Sequence, residues 1–199
     1  MRDNMPIVGD LVEEYREVIR PARGRLRAAL WFTRQLASLV RPWVWGTVLG
    51  VTLGVLNILS TIVAPLAEDE PLPILGFAAT ILGLWTLIGF AAEGQRFRMR
   101  DAVFGGISAA AVSTMIFSGA SLVRKMVFLD VIRQRLDWQG MLQRFQDSGS
   151  PDLRSFVLNE HLEGLFGALL FSIAIGAACG AIGGAISASR RARARVPTM

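Results

Sequence analysis

Four long stretches of this 199-residue chain contain no charged residue, and together they make up nearly half of it. They cover residues 43–67, 71–92, 102–123 and 164–189. A helix needs roughly 20 apolar residues to cross the hydrocarbon core of a bilayer, and each stretch is about that long. Helices satisfy their own backbone hydrogen bonds in lipid. The pattern therefore predicts an all-α, polytopic membrane protein with four transmembrane helices.

These stretches divide the chain into a prefix (residues 1–41), a four-helix transmembrane bundle (42–189) and a basic tail (190–199). Within the bundle, residues 124–163 separate the third span from the fourth. Apolar residues at helical spacing, from Leu129 to Phe145, predict that the third helix continues beyond the membrane.

A turn at residues 147–152 follows, and it leads back into the fourth span. Ser150 is a plausible N-cap there, and Pro151 is a suitable first helical residue. Residues 124–163 are therefore expected to form an extended outer helical hairpin.

Arginine residues are distributed unevenly around the spans, and this predicts the orientation. The prefix, the 93–101 loop and the tail are rich in arginine, whereas the 68–70 loop is Glu-Asp-Glu. Cytoplasmic loops carry an excess of Lys and Arg. Both termini and the 93–101 loop are therefore predicted to be cytoplasmic. Arg124 and Lys125, on the predicted outer side, disagree with this orientation but are outnumbered.

The second half of the prefix is amphipathic at helical spacing. One stripe is basic, and Phe32, Leu36 and Leu39 lie on the far side. Such a helix is typical of the membrane surface, although packing on the cytoplasmic ends of the spans is equally consistent. The candidate membrane-surface residues are Arg23, Arg27, Arg34, Arg41, Trp31 and Trp43.

The prefix also carries a recognisable motif. Val8-Gly9-Asp10-Leu11-Val12-Glu13-Glu14-Tyr15-Arg16 is followed by Gly24 and by Ala28-Ala29-Leu30-Trp31-Phe32 with Gln35. This segment resembles the cytoplasmic prefix of bacterial macrolide-exporter-like permeases, a type abundant in Acidobacteria. The resemblance covers about residues 8–41. It implies a multi-pass protein of the bacterial inner membrane with a permease-type prefix, but not a permease, because no large extracytoplasmic domain is present.

Small residues recur at intervals of four in three of the spans. Lipid gives helices no hydrophobic reason to associate, so small residues allow close approach instead. This glycine-zipper pattern favours packing within the bundle, and homo-oligomerisation or docking of a membrane partner is the alternative. The candidate packing or interface residues are Gly46, Gly50, Gly54, Gly106, Gly176, Gly180 and Gly184.

Few residues have the chemistry of a reactive site. No ionisable residue occurs within the four stretches, and Asn57 is expected to make an interhelical hydrogen bond. The only histidine, His161, lies between Glu160 and Glu163, which is more typical of a solvated helix face than of a catalytic or metal site. We therefore expect no enzymatic activity, no metal and no cofactor.

Charge and cysteine content exclude further classes. The net charge of +5 comes from residues that flank the spans, which indicates contact with the lipid bilayer and no binding of nucleic acid. The single cysteine, Cys179, cannot form an intramolecular disulfide.

Two functional hypotheses remain after these exclusions. The first is a non-enzymatic accessory, scaffold or regulatory subunit of a transporter or other membrane complex. The second is a small oligomeric channel or transporter with a path lined by Ser108, Ser113, Thr114 and Ser118. An enzyme acting on lipids through Glu160, His161 and Glu163 ranks last.

Overall fold

The computed structural model describes residues 41–67, 71–92 and 99–194, with Glu13, Tyr15–Ile19 and Gly24 in the prefix. The predicted amphipathic helix, with Arg23, Arg27, Arg34 and Trp31, lies outside the described residues. In the described part the chain is helical and contains no strand. The α-helices are α1 (Pro42–Val63), α2 (Pro71–Ala92), α3 (Met99–Val127), α4 (Leu129–Ile132), α5 (Gln139–Ser148) and α6 (Leu153–Ala194). A π-helical turn lies at Tyr15–Ile19 and a 3₁₀ turn at Leu136–Trp138.

Three of these helices are long and apolar enough to cross a membrane. They are α1, α3 and the 153–190 part of α6. The second charge-free stretch also forms a helix, α2, but its described apolar part is the shorter segment Leu75–Ala91. The structure therefore supports a helical membrane protein with three candidate spans.

Local sequence signals account for the ends of several helices. Pro42 is the first residue of α1, where its missing N–H is not needed. Gly149 ends α5 in the left-handed conformation, with φ of 65°. The N-cap of α6 is Asp152, whose Oδ2 accepts hydrogen bonds from the backbone N–H and the hydroxyl of Ser155 at 2.9 and 2.8 Å. The expectation that Ser150 caps this helix is wrong, because the carboxylate of Asp152 binds the free N–H of the first turn.

Residues 124–163 also differ from expectation in one respect. The third helix does not continue to residue 145, because α3 ends at Val127 and Phe128 leaves the helical region with ψ of 18°. The chain resumes as the single turn α4, whose Leu129 and Ile132 are buried. The first apolar residues of this pattern are thus buried by a separate short helix and not by a continuation of α3.

Helix α3 lies at the centre of the packing. Helix α1 packs along it, and α2 and α6 pack against it and against each other. Ala102, Ala109 and Ala110 of α3 are fully buried, so the backbones approach closely through small residues. Larger side chains fill the core around Trp85 of α2, whose indole N–H donates to Ser113 at 3.2 Å.

Candidate functional site

Polar side chains meet where α1 and α3 leave the apolar bundle. The Asn57 side-chain amide of α1 donates to the Ser121 hydroxyl of α3 at 2.9 Å. The expected interhelical hydrogen bond of Asn57 is thereby confirmed. A buried polar group without a partner would be costly in an apolar bundle, so this bond lets α1 and α3 keep polar residues in their contact.

Arg124 extends this polar contact. Its Nη1 donates to Asn57 Oδ1 at 2.8 Å, and its Nε donates to the hydroxyl of Thr61, which is itself buried. The guanidinium of α3 thus binds two residues of α1 that lie one helical turn apart. The sequence does not predict this contact, because Arg124 follows the apolar stretch, where a basic residue indicates only topology. The spacing of Asn57 and Thr61 on one helix face was the available clue.

His161 of α6 lies against α3 rather than in solvent. Its Nε2 is 2.9 Å from the Ser118 hydroxyl and 3.1 Å from the Ser118 carbonyl oxygen, and its Nδ1 is 3.3 Å from the Lys125 ammonium. The prediction of a solvated helix face is wrong for this residue. The two contacts lie on α3 one turn or more apart, so His161 ties the beginning of α6 to the end of α3.

These contacts also determine what His161 can do chemically. An ammonium group can only donate, so Lys125 requires a lone pair at Nδ1. The ring proton is then on Nε2, which donates to Ser118. A general base for Ser118 would need the opposite tautomer, with a carboxylate rather than a cation at Nδ1. Glu160 does not supply this carboxylate at Nδ1, because it forms an ion pair with Arg144 at 3.5 Å.

A cavity of about 460 Å³ lies beyond this cluster, between the end of α3 and the beginning of α5. Arg135 borders this region with a side chain only 2% exposed, and it forms a bidentate ion pair with Asp137 at 2.9 and 2.6 Å. Such fork-like pairs fix geometry as well as charge. The lining residues are Lys125, Asp137, Trp138, Gly140, Met141 and Arg144.

The glycines predicted as packing residues all lie at crossings between helices of this chain. A Cβ on Gly46, Gly50 or Gly54 of α1 would come within 3 Å of atoms of α3. Gly106 of α3 faces Gly176 and Gly180 of α6. Gly180 also faces Gly89 of α2, and Gly184 faces Met99 and Ala102 of α3. Helix α6 therefore contacts two neighbours through its small residues.

Of the predicted membrane-surface residues, the structure describes only Arg41 and Trp43. Arg41 and Trp43, at the start of α1, are exposed. In the described ranges no group of three or more His, Cys, Asp or Glu side chains is arranged to hold a metal ion.

The hydroxyl of Ser113, expected to line a path, is buried between Trp85 and the carbonyl of Ala110.

Comparisons with protein-family models, with curated proteins and with solved structures find no match to this chain.

Proposed function

We propose that this chain is a non-enzymatic accessory, scaffold or regulatory subunit of a transporter or other membrane complex in the bacterial inner membrane. The observation that carries the proposal is that polar side chains between the helices bind one another instead of lining a path. Asn57 binds Ser121, Trp85 binds Ser113, and Arg124 binds Thr61. A transporter or proton relay is expected to direct such groups toward a cavity between the helices.

The proposal includes four spans with both termini in the cytoplasm. Helix α2 has 22 residues, and it packs against α3 and α6, which are both long enough to cross a membrane. Leu75 and Leu87 of α2 are exposed apolar residues, as a lipid-facing side requires. Residues 124–163 then form the outer segment, in which the Phe145 and Phe156 rings pack at 5.6 Å.

The location and the type of partner rest on the prefix. Its resemblance to the prefix of macrolide-exporter-like permeases suggests a bacterial inner-membrane complex concerned with transport. Wide apolar faces on α1, including Val51, Val55 and Ile62, are exposed and suit contact with lipid or with a membrane partner.

Two features support the absence of enzymatic activity. The Ser118–His161 pair has a cation at Nδ1, which disfavours the imidazolium ion that a general base must form. Glu163, the other acidic candidate, is exposed on α6. The arrangement suits a structural connection between helices better than a catalytic one.

Purification in mild detergent followed by native mass spectrometry tests the proposal. A stoichiometric membrane partner is the expected result. A lone homo-oligomer of ring size would contradict the proposal and support the small channel instead. In that case the hydroxyls of Ser113 and Ser118 would have to break their present hydrogen bonds and face the pore.

A further inference from the structure

The cavity between α3 and α5 is lined by two basic side chains. Lys125 and Arg144 both line it. Asp137 also lines it, but the bidentate pair with Arg135 compensates this carboxylate. Of the three charged residues that line the cavity, two are basic and one, Asp137, is acidic and paired.

The two lining cations have donors left for a ligand. Lys125 has three N–H donors, and the contact with His161 uses one of them. Arg144 has a side chain 61% exposed, and its Nη2 makes two long contacts, one with Glu160 at 3.5 Å and one with the Met141 sulfur at 3.6 Å. Such an exposed ion pair contributes little energy. An anion entering the cavity therefore competes with a weak contact, not with a buried ion pair.

The surroundings of the cavity are apolar on the side of the bundle. Lys125 is the second residue after the apolar stretch of α3, which is long enough to span a membrane. Leu136, next in sequence to the lining residue Asp137, is 71% exposed. Trp138 and Met141 add apolar surface to the cavity wall itself. A ligand with an anionic group and an adjoining hydrocarbon chain matches both parts.

We propose that this cavity binds the phosphate headgroup of an anionic membrane lipid. Lys125 and Arg144 contact the phosphate oxygens, because Lys and Arg are the side chains that donate charge-assisted hydrogen bonds to phosphate. Trp138 covers the part of the lipid next to the phosphate, as aromatic residues do at membrane interfaces. The bound lipid then connects the end of α3, a helix of the bundle, with α5, a helix of the outer segment.

Native mass spectrometry of the full-length protein in detergent measures this binding directly. The probes are dioleoyl phosphatidylglycerol, which is anionic, and dioleoyl phosphatidylcholine, which is zwitterionic. We expect tighter binding of phosphatidylglycerol. We also expect at least about tenfold weaker binding in the variant Lys125→Gln/Arg144→Gln, since both charge-assisted hydrogen bonds to the phosphate are lost.

The matched control is Arg133→Gln/Arg154→Gln. It removes two positive charges from exposed sites of the same outer segment and leaves the cavity unchanged. We expect it to bind phosphatidylglycerol like the wild type. Equal weakening in both double variants would overturn the proposal in favour of a general charge effect. Unchanged binding in Lys125→Gln/Arg144→Gln would overturn it as well.

Inorganic phosphate distinguishes a lipid from a soluble phosphate. The proposal expects a large excess of phosphate to displace little phosphatidylglycerol, because the ion lacks the apolar contacts. Displacement at equal concentration would show that a soluble phosphate is the occupant and would overturn the lipid assignment. The single variant Arg144→Gln, at an exposed position, guards against misfolding: its thermal stability should equal that of the wild type while lipid binding falls.

Discussion

At the scale of single residues, the polar groups near the ends of the apolar stretches act as connections between helices. Asn57 links α1 to α3 and also receives the guanidinium of Arg124. Hydrogen bonds between membrane helices average only about 0.6 kcal/mol, so their main effect is to select one packing arrangement over others. His161 does the same between α6 and α3, with Ser118 and Lys125 as its partners.

Asp152 makes a contribution to folding stability that depends on pH. The pKa of its carboxyl is lowered, first because the backbone N–H of Ser155 donates to it and then because the Ser155 hydroxyl does so. A pKa lowered by folding gives stability that is complete above the unfolded value of about 4 and is lost as the pH falls through the folded value. Thermal unfolding in detergent between about pH 3 and pH 7 should therefore show a decrease on the acidic side.

Two variants separate the cap from other acid effects. Asp152→Asn should retain most of the stability at neutral pH, because Asn is also a good N-cap, and should lose part of the pH dependence. Asp152→Ala should be less stable than the wild type at neutral pH. Asp147→Asn, at an exposed carboxylate of α5, serves as the control and should keep the wild-type profile. An unchanged profile in Asp152→Asn would contradict the assigned cap.

At the scale of helices, small residues decide which elements touch. The glycines of α1 fit against Ala109, Ser113 and Ala120 of α3, so these two helices approach to backbone contact. On α6, Gly176 and Gly180 fit against α3, and Gly183 fits against Thr86 and Phe90 of α2. These small residues pack within the chain, which leaves the exposed valine, leucine and phenylalanine faces for lipid or a partner.

Replacement of Gly180 by Leu tests this packing. A Cβ at Gly180 would clash with the carbonyl oxygen of Ala102, so the backbones of α3 and α6 must separate. We expect the free energy of unfolding to fall by about 1–3 kcal/mol, the usual cost of overpacking. Gly167→Leu is the matched control, because nothing lies within 4 Å of a Cβ at that position. Equal stability of the two variants in detergent would show that α6 does not use this face.

At the scale of the whole molecule, one helix organises the bundle. Helix α3 contacts α1, α2 and α6, whereas α1 makes its contacts mainly with α3. The polar cluster and the charged cavity both lie at the end of α3 that carries Arg124 and Lys125. At the other end of the bundle, the Arg190 guanidinium of α6 lies over the Phe90 ring of α2 at 5.5 Å. The two ends are therefore chemically distinct.

Cysteine accessibility tests the proposed topology of the whole chain. The background variant Cys179→Ala removes the native thiol, which is buried. In it, Asp69→Cys and Ser148→Cys should react with an impermeant maleimide in intact spheroplasts, because the proposed outer side carries both positions. Arg98→Cys should react only after permeabilisation. Labelling of Arg98→Cys in intact spheroplasts would contradict the orientation, and labelling of all three positions there would contradict the four-span arrangement.

The hydrophobic pattern of the sequence by itself determined that the protein is helical and has helices that can cross a membrane, because length and charge-free composition are local properties. It predicts four spans, and three of the described helices are long and apolar enough to be such spans. It also determined the Asn57 contact, since a lone amide in an apolar stretch must find a partner. Only the tertiary structure decided the partners: that Arg124 turns back to Asn57 and Thr61, that His161 meets Ser118 and Lys125, and that α3 breaks at Phe128. Each of these depends on residues far apart in the chain, and neither spacing nor composition records which helices approach one another.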